Sequence, residues 1–304
     1  MLDVHELAIA RSVLYASLFD YTLTLAQLHE SLIGSTLAPD ELVAVYERSA
    51  ALPAIVERRD GFYFPAGRGD LIEERRSREA RSRAFLAHHA RTLRLICALP
   101  FTRMVALSGS VAHLNLESGG DLDLFIITRG HRVWMVSVAM IALTRLIGVR
   151  RAVCANFVMS DARLTIEQQD LFTANQVLHL KPLVGVDVLE RFVAANPFVR
   201  RFYPNRPHHP AADFVLTPGR TLRAVQALLE IVLTMPSPAI ERLCRAVYTW
   251  HLNRRSVSWL SPEQVRMQPD YLKLHTKSHR NAVLDRFDQR VRQALDRSEH
   301  AAIA

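Results

Sequence analysis

"LSGSVAHLNLESGGDLDLFIIT", residues 107–128, decides how the rest of the chain reads. A short apolar run, Arg103–Leu107, ends in a Gly109-Ser110 turn. Ten residues later stand Asp121 and Asp123, and then the wholly apolar Leu124–Ile127. Residues two apart in a strand share a face, so the spacing predicts paired carboxylates at the mouth of a buried strand over 121–128. Two such acids repel, and a cation between them turns the pair favourable. Oxygen-only ligation suits magnesium, which keeps several waters and shares phosphate oxygens. Gly109 lets backbone approach closely, and the N–H groups of the turn and of a short helix over 111–116 favour negative charge. The two halves read together as a site for a metal-bound triphosphate.

Working outward, a helix over 132–147 and a strand over 151–159 (RAVCANFVM) continue the segment as an α/β unit. Trp134, Val138, Ile141 and Leu146 form an apolar stripe expected in the core. Upstream, helical spacing covers 4–18, 25–33 and 40–52, with Thr22 and Ser35 placed to cap helix starts. AIVERRDGFYFPAG, residues 54–67, predicts a hairpin about Asp60-Gly61. Three helices followed by such a hairpin resemble a winged helix. A long helix over 70–98, closed by Pro100, links it to the quoted stretch, and its EERRSREARSR run reads as a solvated face.

Downstream of 165 the chain reads as helices. Thr165 opens TIEQQDLFTANQVLHL with a capping-box pattern. Prolines 197, 204, 207 and 210 break the next stretch, whose His208-His209 reads as loop. Apolar helices follow over 222–233 and 240–252, and 278–297 carries the stripe Val283, Phe287, Val291 and Leu295. The expected organisation is therefore α+β. It comprises a winged-helix-like domain over 1–68, a connecting helix over 69–98, a core over 99–164 and a helical region over 165–304.

The 304 residues, 49% apolar and 22% charged, describe an ordinary globular chain, long enough for several domains. The start lacks the pattern of a signal peptide, and no apolar run is long enough to span a bilayer, so no membrane and a cytoplasmic location are expected. Cys97, Cys154 and Cys244 are widely spaced and read as reduced thiols, which excludes a disulfide frame and a zinc site. A net charge of +8 favours anionic partners. Nucleic acid is the less favoured one, because the third helix carries Asp40, Glu41 and Glu47 against a single Arg48.

The Gly109-Ser110 turn, the ten-residue gap and Asp121-Leu122-Asp123-Leu124 resemble the signature of the polymerase-β-type nucleotidyltransferase superfamily. The match covers about residues 99–160. Over its whole length, with phrases such as "CANFVMSD" and "YLKLH", the chain is similar to a bacterial group of that superfamily with a similar front domain. The resemblance implies a small mixed sheet, one or two Mg2+ ions, and transfer of a nucleoside monophosphate from ATP or another nucleotide triphosphate to an acceptor hydroxyl. It implies that Gly109 and Ser110 hold phosphates and that Asp121 and Asp123 ligate metal. The helical region would close over the nucleotide, with Lys181, Lys273, His275 and Lys277 near the cleft.

One departure bears on activity. Where such enzymes carry a third carboxylate on the following strand, this chain has Asn156, whose amide cannot act as a base near neutral pH. Asp161 and Glu117 are the replacements within reach of sequence reasoning, and Arg132 is a candidate phosphate contact. His113 reads as a packing residue. Three functions remain: a nucleotidyltransferase, a nucleotide-binding sensor without catalysis, and a winged-helix DNA-binding regulator.

Overall fold

A computed structural model describes residues 2–207 and 213–303, the side chains of 297–303 excepted. His208, His209 and Pro210 lie outside the described residues. The chain is a mixed α+β protein. Its first helix, α1 (Val4–Ala16), is held by a reciprocal cap in which Asp3 accepts from the amides of His5 and Glu6. After β1 (Leu23–Thr24) come α2 (Leu25–Glu30) and α3 (Pro39–Arg48). The cap of α2 is Thr24, paired with Gln27, and not Thr22; Ser35 instead bonds His5, 2.8 Å away. Strands β2 (Val56–Arg59) and β3 (Phe62–Pro65) form the expected hairpin. Asp60 and Gly61 both take positive φ, 54° and 79°, the pair of values a two-residue hairpin turn needs. β1 adds to β3, giving a three-stranded antiparallel sheet.

Helix α4 (Asp70–Cys97) runs the expected length, but its charged run is not a solvated face throughout. Arg75 and Arg78 are buried. Arg75 donates to the Thr22 carbonyl and stacks on Tyr21, 4.1 Å from the ring centroid, while Arg78 stands 3.6 Å from both Asp20 and Glu117. Two cations on one long helix thereby tie the front module to the core.

The second sheet holds six strands. β4 (Thr102–Ser108), β5 (Leu122–Thr128) and β6 (Val153–Ser160) come from the segment read first. Between them lie α5 (Gly109–Ala112) and α6 (Val133–Leu146). β4 is antiparallel to β5, and β5 is parallel to β6 across the α6 crossover. The helix expected over 111–116 spans only α5, because Leu114 takes a φ of +53° that no helix continues through.

The region after 165 is not the purely helical one expected, because three of its segments are strands. It contributes α7 (Leu171–Leu178), β7 (Lys181–Val184), α8 (Val186–Ala194), α9 (Phe198–Phe202), α10 (Arg220–Thr234) and α11 (Ser237–Arg255). β8 (Val265–Gln268), β9 (Tyr271–Leu274) and α12 (Arg280–Ile303) complete it. β7 pairs with β4 at one edge, and β9 pairs with β6 and β8 at the other, giving the order β7-β4-β5-β6-β9-β8. "YLKLH" is thus part of the sheet. Thr165 does not open a helix: α7 starts at its cap Asp170, whose carboxylate accepts from Thr173, 2.8 Å away.

Alternation along β4, β5 and β6 sends side chains to two apolar layers. Met104, Phe125, Ile127 and Phe157 meet α7, α8, α9 and α12 on one face; Tyr15 of α1 reaches the same layer. Leu107, Leu124, Ile126 and Val158 meet α4, α6 and α11 on the other. Trp134 is fully buried there, but Leu146 of the expected stripe is 85% exposed. The covered side of α6 instead runs through Val133, Val136, Met140 and Thr144. Its N-terminus is capped from a distance by buried Glu241, which accepts from Trp134 and Met135 at 2.9 and 2.7 Å. Helix α12 returns to the front module through Phe287, 5.2 Å from Tyr15, and Arg290, which donates to Ser17. Cys97 is buried and Cys154 and Cys244 are half-buried, all as free thiols.

Candidate functional site

The site sits where β4 ends and β5 begins. Ser108 lies opposite Asp123 in the antiparallel ladder, so the next residue, Gly109, turns the chain directly over the Asp123 carboxylate. Its φ is +61°, and a Cβ there would stand 2.3 Å from Asp123 Oδ2. Glycine is required twice at this point, for its backbone and for the space it leaves. Asp121 precedes β5 by one residue and is close enough for its charge to act on Asp123.

On the parallel side Asp123 is level with Cys154. The register then slips: Leu124 pairs with Ala155 but Phe125 with Phe157, leaving Asn156 as the extra residue of a bulge. Such a bulge re-aims a side chain, and the Asn156 amide donates to Asp123 Oδ1. Burial first, and the neighbouring Asp121 charge second, push the Asp123 carboxyl up to about 7, against the opposing pull of the Asn156 amide. Burial, aided by a hydrogen bond to Asp121, pushes the Cys154 thiol up to about 12.

A cleft of about 50 Å³ at Asp123 is lined also by Ser108, Gly109, Asn156, Lys273 and His275. Lys273 and His275 arrive on and just after β9. Burial lowers Lys273 to about 8 and His275 to about 4, so the imidazole is neutral near pH 7. Two larger cavities flank this cleft. One of about 290 Å³ shares Gly109 with it and reaches Ser110, His113 and Glu117. The other, of about 550 Å³, shares Asn156 with it and is bordered by Arg145, Arg150, Arg255 and Lys277 together with Tyr248 and Trp259. No motif announced Arg150, Tyr248, Arg255 or Trp259; they converge from α11 and from the loops and helix ends around it.

The candidates from sequence divide cleanly. Gly109, Asp123 and Asn156 line one cleft with Lys273 and His275, Asp121 stands near enough for its charge to act on Asp123, and Ser110 faces the cavity of about 290 Å³. Asp161 does not join them. It accepts from the Gly130 amide at 2.7 Å, at the far end of β5, about 17 Å along the strand from Asp123. Arg132 lies at that same far end, donating to Ser237 and to the Arg129 carbonyl and stacking 4.4 Å from the Phe101 centroid. Glu117 stands at the mouth of the 290 Å³ cavity, near Arg78. Lys181 sits on β7 opposite Leu107, and Lys277 on the larger cavity. His113 packs against His179, ring centroids 4.1 Å apart, and burial lowers it to about 4.

Among the described residues no three His, Cys, Asp or Glu side chains gather as a metal cluster. The Asp121 and Asp123 carboxylates offer oxygens of the kind a hard cation takes, and Asn156 turns its NH2 group to Asp123 Oδ1. Burial and the charge of Asp121 outweigh the Asn156 hydrogen bond at the Asp123 carboxyl. Set against known proteins, the chain matches no family model, no curated protein and no solved structure.

Proposed function

We propose that the chain is a magnesium-dependent nucleotidyltransferase of the polymerase-β type, with a winged-helix-like front module. The observation that carries the reading is the Asp123 carboxylate, held in a cleft against bare Gly109 and near enough to Asp121 to feel its charge. Asp121 and Asp123 would hold Mg2+, with Asn156 as the weaker third neighbour. When bound, the ion neutralises charge on the triphosphate and aligns it for displacement. The chain's own part is positioning. Gly109 and Ser110 border the cavity of about 290 Å³, where their turn would meet phosphate oxygens, and Lys273 adds a cation beside Asp123. The acceptor oxygen bonds to the α-phosphorus, the bond to the bridging oxygen breaks and pyrophosphate leaves. Asn156 cannot take the acceptor's proton, which passes to water. The cavities on either side, reaching Gly109 and Asn156, offer room for one substrate each.

A second reading, a nucleotide-binding sensor with little or no catalysis, is favoured by Asn156 standing where a general base is wanted. DNA regulation through the front module has less support. Its wing arginines are already engaged, Arg58 at 3.4 Å from Glu47 and Arg59 at 3.8 Å from Glu57. The test uses labelled nucleotide triphosphate, Mg2+ and pools of hydroxyl acceptors. Release of pyrophosphate that is lost in Asp121→Ala and Asp123→Ala supports transfer. Nucleotide binding without release from any pool moves the reading to the sensor, and no nucleotide binding ends both.

A further inference from the structure

Helix α10 contains no buried residue. It is fastened to the core by Gln226, which donates to the Leu99 carbonyl, by Glu230, which accepts from the Phe101 amide and stands 3.7 Å from Arg129, and by half-buried Leu233. Most of its large apolar residues face outward. Leu228, Ile231, Val232 and Met235, with Leu243 and Trp250 of α11, are each 56–87% exposed. A surface helix normally shows the reverse arrangement, and exposed apolar side chains at the helical spacing of Leu228, Ile231, Val232 and Met235 mark an interaction surface.

The charges around the patch say what covers it. Arg220, Arg223, Arg242, Arg245 and Arg254 are all exposed, and no ion pair joins them to an acid among the described residues; Arg254 stacks 3.9 Å from the Trp250 ring centroid. The only acids between 220 and 255 are Glu230 and Glu241, both directed inward onto backbone amides. A second copy of the chain would bring one arginine rim against another. Apolar side chains framed by unopposed arginines instead match a lipid surface, where the former enter the boundary of headgroups and acyl chains and the latter meet lipid phosphates. No helix among the described residues is long and apolar enough to cross a membrane. We propose that the α10–α11 hairpin lies on an anionic bilayer surface, its apolar side turned into the interface. This inference does not depend on the nucleotidyltransferase reading.

The test is flotation of the full chain with vesicles of phosphatidylcholine alone and with about 30% phosphatidylglycerol. The expected result is binding at least about tenfold stronger to the anionic vesicles, falling severalfold as salt rises from about 0.1 to about 0.5 M. Leu228→Glu and Val232→Glu should each weaken binding about tenfold, with the thermal midpoint unchanged because both sites are solvent-exposed. Arg242→Glu with Arg245→Glu should weaken it as well. Equal binding to neutral vesicles, absence of flotation, or a dimer in light scattering that Leu228→Glu dissociates would each overturn the proposal.

Discussion

Replacing Asp123 by asparagine should stabilise the metal-free protein, and only above mildly acidic pH. The carboxyl is raised from 3.8 to about 7, chiefly by burial and then by Asp121. That difference corresponds to about 4 kcal/mol against the ionised form in the native state. Water reaching the half-buried group reduces the expected effect to about 2–4 kcal/mol. The sign follows from the folded-state value lying above the unfolded one. Below about pH 4 the carboxyl is neutral in both states and the penalty is absent; it grows as pH rises and is complete above about 7. Asparagine keeps the shape and can still accept the Asn156 amide hydrogen bond. Urea unfolding of both proteins with chelator, from about pH 4 to about pH 8, should show equal stability at the acid end and a 2–4 kcal/mol advantage for Asp123→Asn at the alkaline end. Added Mg2+ should then raise the wild-type midpoint and leave the variant's unchanged. A difference constant across pH, or a wild type more stable at pH 8 without metal, would refute the reasoning.

Gly109→Ala places a methyl group 2.3 Å from Asp123 Oδ2 on backbone at φ +61°. It should lose about 1–3 kcal/mol in thermal unfolding and abolish pyrophosphate release, and an unchanged midpoint would show that the turn tolerates a side chain. Asn156→Asp adds a third acid against Asp123; it should tighten Mg2+ in calorimetric titration while lowering metal-free stability above pH 7 by about 1–3 kcal/mol. Unaltered Mg2+ affinity would remove Asn156 from the proposed donor set.

Local signals carried far. The Asp60-Gly61 turn, the apolar run after Asp123 and the length of α4 follow from chemistry within a few residues, and each stands near its expected place. What escaped depends on partners distant in the chain. β7 is four residues long and contains Pro182, and it becomes a strand only at the edge offered by β4. β8 and β9 are equally short, and β9 is specified by β6, more than a hundred residues earlier. Thr165 carries a helix-opening pattern, yet the Ile166 amide is claimed by Asn196 at 2.8 Å, and the helix waits for Asp170. Arg75 and Arg78 look like solvated charge until α4 is laid across the front module. At the site, Gly109, Asp121, Asp123 and Asn156 were legible from spacing and resemblance. Asp161 and Arg132 were misplaced because the strand length that separates them from Asp123 has no signature in composition.

The position of β9 has a consequence for the order in which the protein is made. Gly109 and Asp123 leave the ribosome early, whereas Lys273 and His275, which wall the same cleft, lie 150 positions beyond Asp123. At about 5–20 residues per second, roughly 10–30 s of synthesis separate the two halves. During that interval β6 presents an open edge, and the carboxylates face solvent without their basic neighbours. A nascent chain therefore holds an unfinished pocket until β9 has emerged behind β5 and β6 and closed it.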